Sequence, residues 1–174
     1  MEIQIVPLLD AQLLLDINET GVPGVNSIHL EKARWLIDHA AAALLALAQG
    51  RPAGVLIALP EDCRFDSDYF RWFTGRYINI LYLDRVIVLD WARGQRVATC
   101  LYDEVHRLSA RMGVAVVSEV YSLPANPVST RFHTRCGYLQ IGSQVIGQEG
   151  KVVSKLIKFP ERAQVIARPK EMTW

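Results

Sequence analysis

The chain has 174 residues, 51% of them hydrophobic and 21% charged, which suits one compact globular domain with a real core. A net charge of +1, with no basic run, excludes the electrostatic footprint expected of a nucleic-acid or anionic-lipid binder. Cys63, Cys100 and Cys136 are odd in number and form no CxxC pair, so neither a disulfide framework nor a zinc site is expected.

In chain order, Glu2–Pro7 reads as a short strand and Ala11–Asn18 as a helix, broken by a loop holding Gly21, Pro23 and Gly24. A second helix is expected from Leu30 to about His39. Ala41–Ala48 and Ala53–Leu59 flank Gln49-Gly50-Arg51-Pro52 as a hairpin, although the alanines of the first run also suit a helix. Glu61–Tyr77 is a polar connection rich in aromatic residues, and Ile78–Leu89 is the longest apolar strand candidate. From Gln95 to Met112 the residues Val97, Leu101, Val105, Leu108 and Met112 recur at helical spacing, and Gly113 ends that stripe. Val114–Tyr121 is apolar on both faces, as a central strand is. Asn126 as cap and Pro127 at the first position start a helix that runs to Cys136. Tyr138–Ile146 and Val152–Phe159 form a second hairpin around Gly147-Gln148-Glu149-Gly150, and Pro160–Trp174 shows no period. Strand–helix–strand passages followed by antiparallel strands imply an α/β chain with a mixed sheet and helices on both faces. Met1–Asp10 has no signal-type pattern, and the longest apolar run, Ala40–Ala48, is too short to span a bilayer, so a reducing cytoplasm is the expected location.

The stretch VIVLDWARGQRVATCL, Val86–Leu101, carries the most information. A branched strand enters a short turn and a helix begins at about Gln95. Helix-start amides lack intrahelical partners and the helix dipole adds partial positive charge, which together suit a diphosphate. Gly94 permits the tight turn, Ala98 permits close packing, and Arg93 and Arg96 add charge. An ordinary strand-to-helix turn with two solvated arginines is the competing reading. No GxxxxGK[ST] and no GxGxxG after a strand is present.

These residues resemble the pyrophosphate signature [RQ]-x-x-G-x-[GA] of the GNAT superfamily of acetyl-CoA-dependent N-acyltransferases, with Arg93, Gly94, Gln95, Arg96, Val97 and Ala98 in its positions and Val88 as the strand-ending valine. A second block, Asn126-Pro127-Val128-Ser129, Phe132-His133 and Cys136-Gly137-Tyr138, is similar to N-[PA]-x-S-x-x-[FL]-[HY]-x-x-x-G-[FY] in register throughout. The resemblance covers Tyr77–Phe159 and implies one such domain over 1–160 with a C-terminal tail over 161–174. It implies a mostly antiparallel central sheet with one parallel strand pair splayed at the acyl-CoA site, acetyl-CoA as co-substrate, and a small-molecule or amino-acid amine as acceptor. One departure stands out: Arg96 occupies a position where the family usually has glycine.

For the chemistry, the resemblance implies direct attack of a neutral amine on the thioester, which requires a base for the amine and a proton for the thiolate. His133 lies seven positions after Asn126, where many members place the tyrosine that protonates the thiolate; a bonded helix-surface histidine is the alternative. Glu119 interrupts an apolar strand and is either a base or half of an ion pair. Asp84 is read as paired with Arg85 or another cation, with proton relay as the alternative. Asn126 caps its helix and, by resemblance, touches the pantetheine arm; Ser129 and Phe132 line the CoA channel or, for Phe132, the core. Backbone amides near Ile87 and Val88 are the expected polarisers of the thioester carbonyl. The aromatic connection Phe65–Tyr77 and the loop around Pro23 are candidate acceptor walls. Val152–Phe159 is a candidate sheet edge for a homodimer. A non-catalytic acyl-CoA-binding module is the alternative function.

Overall fold

A computed structural model describes residues 2–147, 150–160 and 166–167. The elements, in order, are β1 Ile3–Pro7, α1 Ala11–Thr20, α2 Leu30–His39, β2 Ala42–Ala48, β3 Arg51–Pro60, α3 Asp68–Thr74, β4 Tyr77–Ile78, β5 Ile80–Val88, α4 Val97–Met112, β6 Ala115–Leu123, α5 Pro127–Arg135, β7 Leu139–Ile146, β8 Lys151–Lys158 and β9 Ile166–Ala167. Seven strands hydrogen-bond in the order β1-β2-β3-β5-β6-β8-β7, and β4 pairs with β9 apart from them. The β5–β6 pair is parallel over Ile80–Tyr82 and Ala115–Val117, while β1–β2, β2–β3, β6–β8 and β7–β8 are antiparallel. This is the mixed α/β sheet expected from the sequence. The chain forms two compact units, Met1–Cys63 with Leu83–Leu108, and Arg64–Tyr82 with Ser109–Trp174.

In the first unit, the Asp10 carboxylate starts α1 by accepting from the Gln12 and Leu13 amides at 2.8 and 3.1 Å, the arrangement of a helix N-cap. Leu14 and Ile17 of α1 and Ala33 and Leu36 of α2 are buried. The alanine-rich run is strand β2, not helix. Gln49 and Gly50, at φ 53° and 72°, make a two-residue turn into β3, the twist-matched way to join antiparallel strands. β3 is buried from Ala53 to Leu59, and its Gly54 is required by space: a Cβ there would sit 2.6 Å from the Ile87 carbonyl oxygen and 3.2 Å from Val97 Cγ1. Bare backbone at Gly54 therefore lets β3 come up to the end of β5.

In the second unit, the aromatic connection contains a helix, α3, where the sequence shows only a polar, aromatic-rich connection. Ser67 Oγ accepts from the Phe70 amide at 3.4 Å and begins α3. Phe65, Phe70 and Phe73 are buried and ring Tyr82, with centroids 6.2, 5.4 and 6.0 Å from it. These three are core cover, as one of the two readings of the stretch had it. α5 is capped as expected, Asn126 Oδ1 accepting from the Ser129 amide at 3.0 Å. One expectation is corrected: Val152–Phe159 presents no sheet edge, because β8 lies between β6 and β7, and β7 holds the edge position. Of the hairpin turn after β7, Gln148 and Glu149 lie outside the described residues, as do 161–165 and 168–174 of the expected tail; β9 falls within that tail.

Gly54→Ala forces a methyl group against backbone, so it should lower stability by about 1–3 kcal/mol. Urea unfolding should show the loss as a shifted midpoint, and a midpoint equal to that of the parent would contradict the close approach.

Candidate functional site

The first unit holds the turn between β5 and α4. After Val88 the chain makes a 3-10 turn over Asp90–Ala92, and α4 starts at Val97, two residues later than the spacing suggested. Gly94 has φ 74° and Arg96 φ 65°. No atom lies within 4 Å of a Cβ placed on Gly94, so the left-handed backbone, not crowding, calls for glycine there. Arg96 adopts the same region with a side chain, at a cost of order 1–3 kcal/mol for a residue held in left-handed backbone. The sequence departure is thus a departure in side chain only; the backbone takes the conformation a glycine would supply. The Cys100 N–H donates to the Arg96 carbonyl at 3.0 Å, and the amides of the turn before it are the helix-start donors. Val97 is buried and anchors the helix; Gly94 and Arg96 are exposed. Gln95 is fixed by its side-chain amide, which donates to the Trp91 carbonyl at 2.8 Å, and Arg93 pairs with Asp90 at 2.8 Å. Arg51 lies over the Trp91 ring at 4.8 Å.

Strand alternation separates two other expected residues. The Leu89 amide donates to Ala53 of β3 at 2.9 Å, so the groups of Ile87 face β3 and the Val88 N–H points away from it. Val88 is therefore the better-placed donor of the two. Asp84 is in a buried pair with Arg85 at 2.6 Å, and Arg85 also donates to Asn18 Oδ1, an arrangement in which both charges are spent on structure. Asn18 Nδ2 in turn donates to the Asn26 carbonyl at 3.0 Å, tying the loop around Pro23 to α1.

The second unit holds a cluster around Glu119. Tyr82 donates its hydroxyl to Glu119 Oε1 at 2.8 Å, and Lys155 Nζ lies 4.0 Å from Oε2. Lys155 is fully buried, opposite Glu119 in the β6–β8 register, and its ammonium has no hydrogen-bond acceptor among the described residues. It rests instead against the rings of Tyr69, Trp72 and Phe73 at 4.7, 5.6 and 5.0 Å, three residues on one face of α3. Burial pushes the Lys155 pKa down from 10.5 to about 8, against the raising effect of Glu119. The Tyr69 hydroxyl lies 3.3 Å from that of Tyr121, and burial raises the Tyr69 pKa from 10.0. The sequence singled out Glu119 but missed Lys155 and Tyr82. The signal for both was available, a lysine inside an apolar strand and aromatic residues spaced three and four apart, but only strand register joins them.

His133 is buried, not on the helix surface. Its Nδ1 donates to the Ser129 carbonyl one turn back at 2.9 Å, and Tyr138 meets its ring edge-on at 5.0 Å. Burial lowers its pKa and so favours the neutral ring. Phe132 is half-buried, with its ring 5.7 Å from that of His133, and Ser129 Oγ is 3.4 Å from Nδ1. Among the described residues no three His, Cys, Asp or Glu groups gather to hold a metal ion, and no helix is long and apolar enough to cross a membrane.

The model of the acetyltransferase (GNAT) family matches residues 13–138. No curated protein matches the chain in sequence. Among solved structures, a ribosomal-protein-alanine N-acetyltransferase from Brucella melitensis is 20% identical with a TM-score of 0.67, covering 91% of this chain and 99% of that one. yncA from Salmonella typhimurium, a putative acetyltransferase with its cofactor acetyl-CoA, is 15% identical with a TM-score of 0.71, covering 92% and 95%. Arabidopsis thaliana NAA60 in complex with a bisubstrate analogue is 16% identical with a TM-score of 0.69, covering 93% and 100%.

The buried ammonium gives a pH signature. Between about 8 and 10.5 the folded chain has lost the Lys155 proton while the unfolded chain keeps it. The unfolded state then binds more protons, so stability rises with pH across that range. Tyr69 acts in the opposite sense above 10.0: there the unfolded chain loses the Tyr69 proton while the folded chain keeps it, so stability falls with pH, which sets the useful window at 8–10. Denaturation at fixed temperature across that window should show the rise in the parent and a flat profile in Lys155→Met; equal slopes would contradict the burial of the charge.

Proposed function

This chain belongs to the acetyltransferase (GNAT) family, and from that premise we propose that it transfers an acetyl group from acetyl-CoA to a primary amine of a small molecule or an amino acid. The observation that carries the reading is Glu119, a carboxylate largely shielded from water, 14% exposed at its side chain, and oriented by the Tyr82 hydroxyl. An alkyl amine is mostly protonated at neutral pH and cannot attack until a base takes a proton. In this reading Glu119 takes one proton from the ammonium, the amine nitrogen bonds to the thioester carbon, the carbon–sulfur bond breaks, and the second nitrogen proton, released as the amide forms, ends on the departing thiolate. The Val88 N–H stabilises the carbonyl oxygen as it gains charge. The amides of Gln95–Ala98 receive the diphosphate, with Arg93 and Arg96 as supplementary charge. Asn126, Ser129 and Phe132 are proposed for the pantetheine arm.

His133 is given a secondary part. Its Nδ1 hydrogen is engaged by the Ser129 carbonyl and burial favours the neutral ring, so it is a poor proton donor at neutral pH. Asp84 is given none, since its charge is matched by Arg85. A second reading, a non-catalytic acyl-CoA-binding module, is favoured by one observation, the side chain at Arg96 where the family usually has glycine.

Release of free thiol from acetyl-CoA across an amine panel tests the reading. Glu119→Gln should lower kcat/KM by about 100-fold or more, as loss of a general base does, and His133→Ala by less than about tenfold. Coenzyme A binding without thiol release on any amine would transfer the case to the second reading. Arg96→Gly keeps the left-handed backbone and should bind coenzyme A within about threefold of the parent, whereas Arg96→Val, whose branched side chain resists that conformation, should bind it at least about tenfold more weakly. Calorimetry that found the two variants equal would show that the backbone conformation is not what matters.

A further inference from the structure

The lysine beside the proposed base has no role in the reaction described above, yet its surroundings are built with some care. Lys155 sits on β8 between Glu119 on β6 and Gly142 on β7. A Cβ on Gly142 would lie 2.9 Å from the Trp72 ring, so the bare backbone there lets that ring come down beside the ammonium. Tyr69, Trp72 and Phe73 close the space with aromatic faces, which attract a cation but accept no strong hydrogen bond from it. The ammonium is thus held without solvent exposure, 4.0 Å from the Glu119 carboxylate.

We propose that Lys155 is a positioning residue for Glu119: its caged ammonium keeps the carboxylate ionised and turned so that the other oxygen meets Tyr82, and it gives up that hold when it deprotonates. The proposal rests on reading Glu119 as the base. The other charged or titratable groups around the cage are Arg76, whose guanidinium lies over Trp72 at 4.4 Å and opposes the Lys155 charge, the Tyr69 and Tyr121 hydroxyls, and Asp68 at the start of α3. Among the described residues Glu119 supports the ammonium by direct charge attraction. Loss of the Lys155 proton at about 8 therefore falls within a range where an enzyme assay can see it.

The test uses the full chain and two variants, Lys155→Met, which removes the charge and keeps the length, and Glu119→Gln. Carbon-13 NMR follows the Glu119 carboxyl, and nitrogen-15 NMR follows the Lys155 Nζ, from pH 4 to 10. In Lys155→Met the Glu119 midpoint should move up by about one pH unit or more, because an opposite charge at this range favours the ionised form. In Glu119→Gln the Lys155 midpoint should fall below its parent value. A Glu119 midpoint that stays within about 0.3 unit of the parent in Lys155→Met, or a Lys155 midpoint that does not move in Glu119→Gln, would overturn the proposal. With acetyl-CoA and whichever panel amine is turned over, the acid limb of kcat/KM should move with the Glu119 midpoint. If the midpoints move and that limb does not, the pairing stands and the assignment of Glu119 as base falls.

Discussion

The constraint on which the account depends is where the backbone amides after Val88 are spent. A strand that ends against β3 and a helix that begins at Val97 leave a short passage whose donors belong to neither ladder. To make that passage tight, two residues must enter left-handed backbone, Gly94 and Arg96. Gly94 does so at no steric cost; Arg96 does so against its own preference. Strain kept at such a place is a mark of a backbone conformation set by the surrounding structure, here the buried Val97 anchor and the approach allowed by Gly54.

The second unit solves a different problem, a charge inside an apolar strand. An isolated ammonium in such surroundings is costly, and a well-packed apolar replacement is often neutral or stabilising. What offsets the cost here is a carboxylate across the ladder and three aromatic faces from one helix turn, not a set of hydrogen bonds. The arrangement is therefore one that favours an ionised Glu119 more than it favours stability.

Much of this was legible in the sequence, and the parts that were not share one cause. The α4 stripe, the Asn126-Pro127 start of α5 and both hairpins are local patterns, and each appears where the spacing put it, α4 within two residues. The α3 helix was missed because its aromatic residues suggested loop cover, although Ser67 is an ordinary cap and Tyr69, Trp72 and Phe73 share a helical face. Lys155 was missed because a lone lysine in KVVSKLIK reads as the polar side of a strand, and only the pairing of β8 with β6 sets it opposite Glu119. The β8 edge failed for the same reason: strand order is a long-range property. His133 was found by motif position, but whether it faces water or core depends on Tyr138, which the helix itself does not specify.

The most direct measurement of the central claim is amide hydrogen exchange with and without acetyl-CoA. The account predicts that acetyl-CoA slows exchange at Gln95–Ala98 and leaves the β2–β3 turn at Gln49–Gly50 unchanged. Unaltered exchange at Gln95–Ala98 under saturating acetyl-CoA would contradict it.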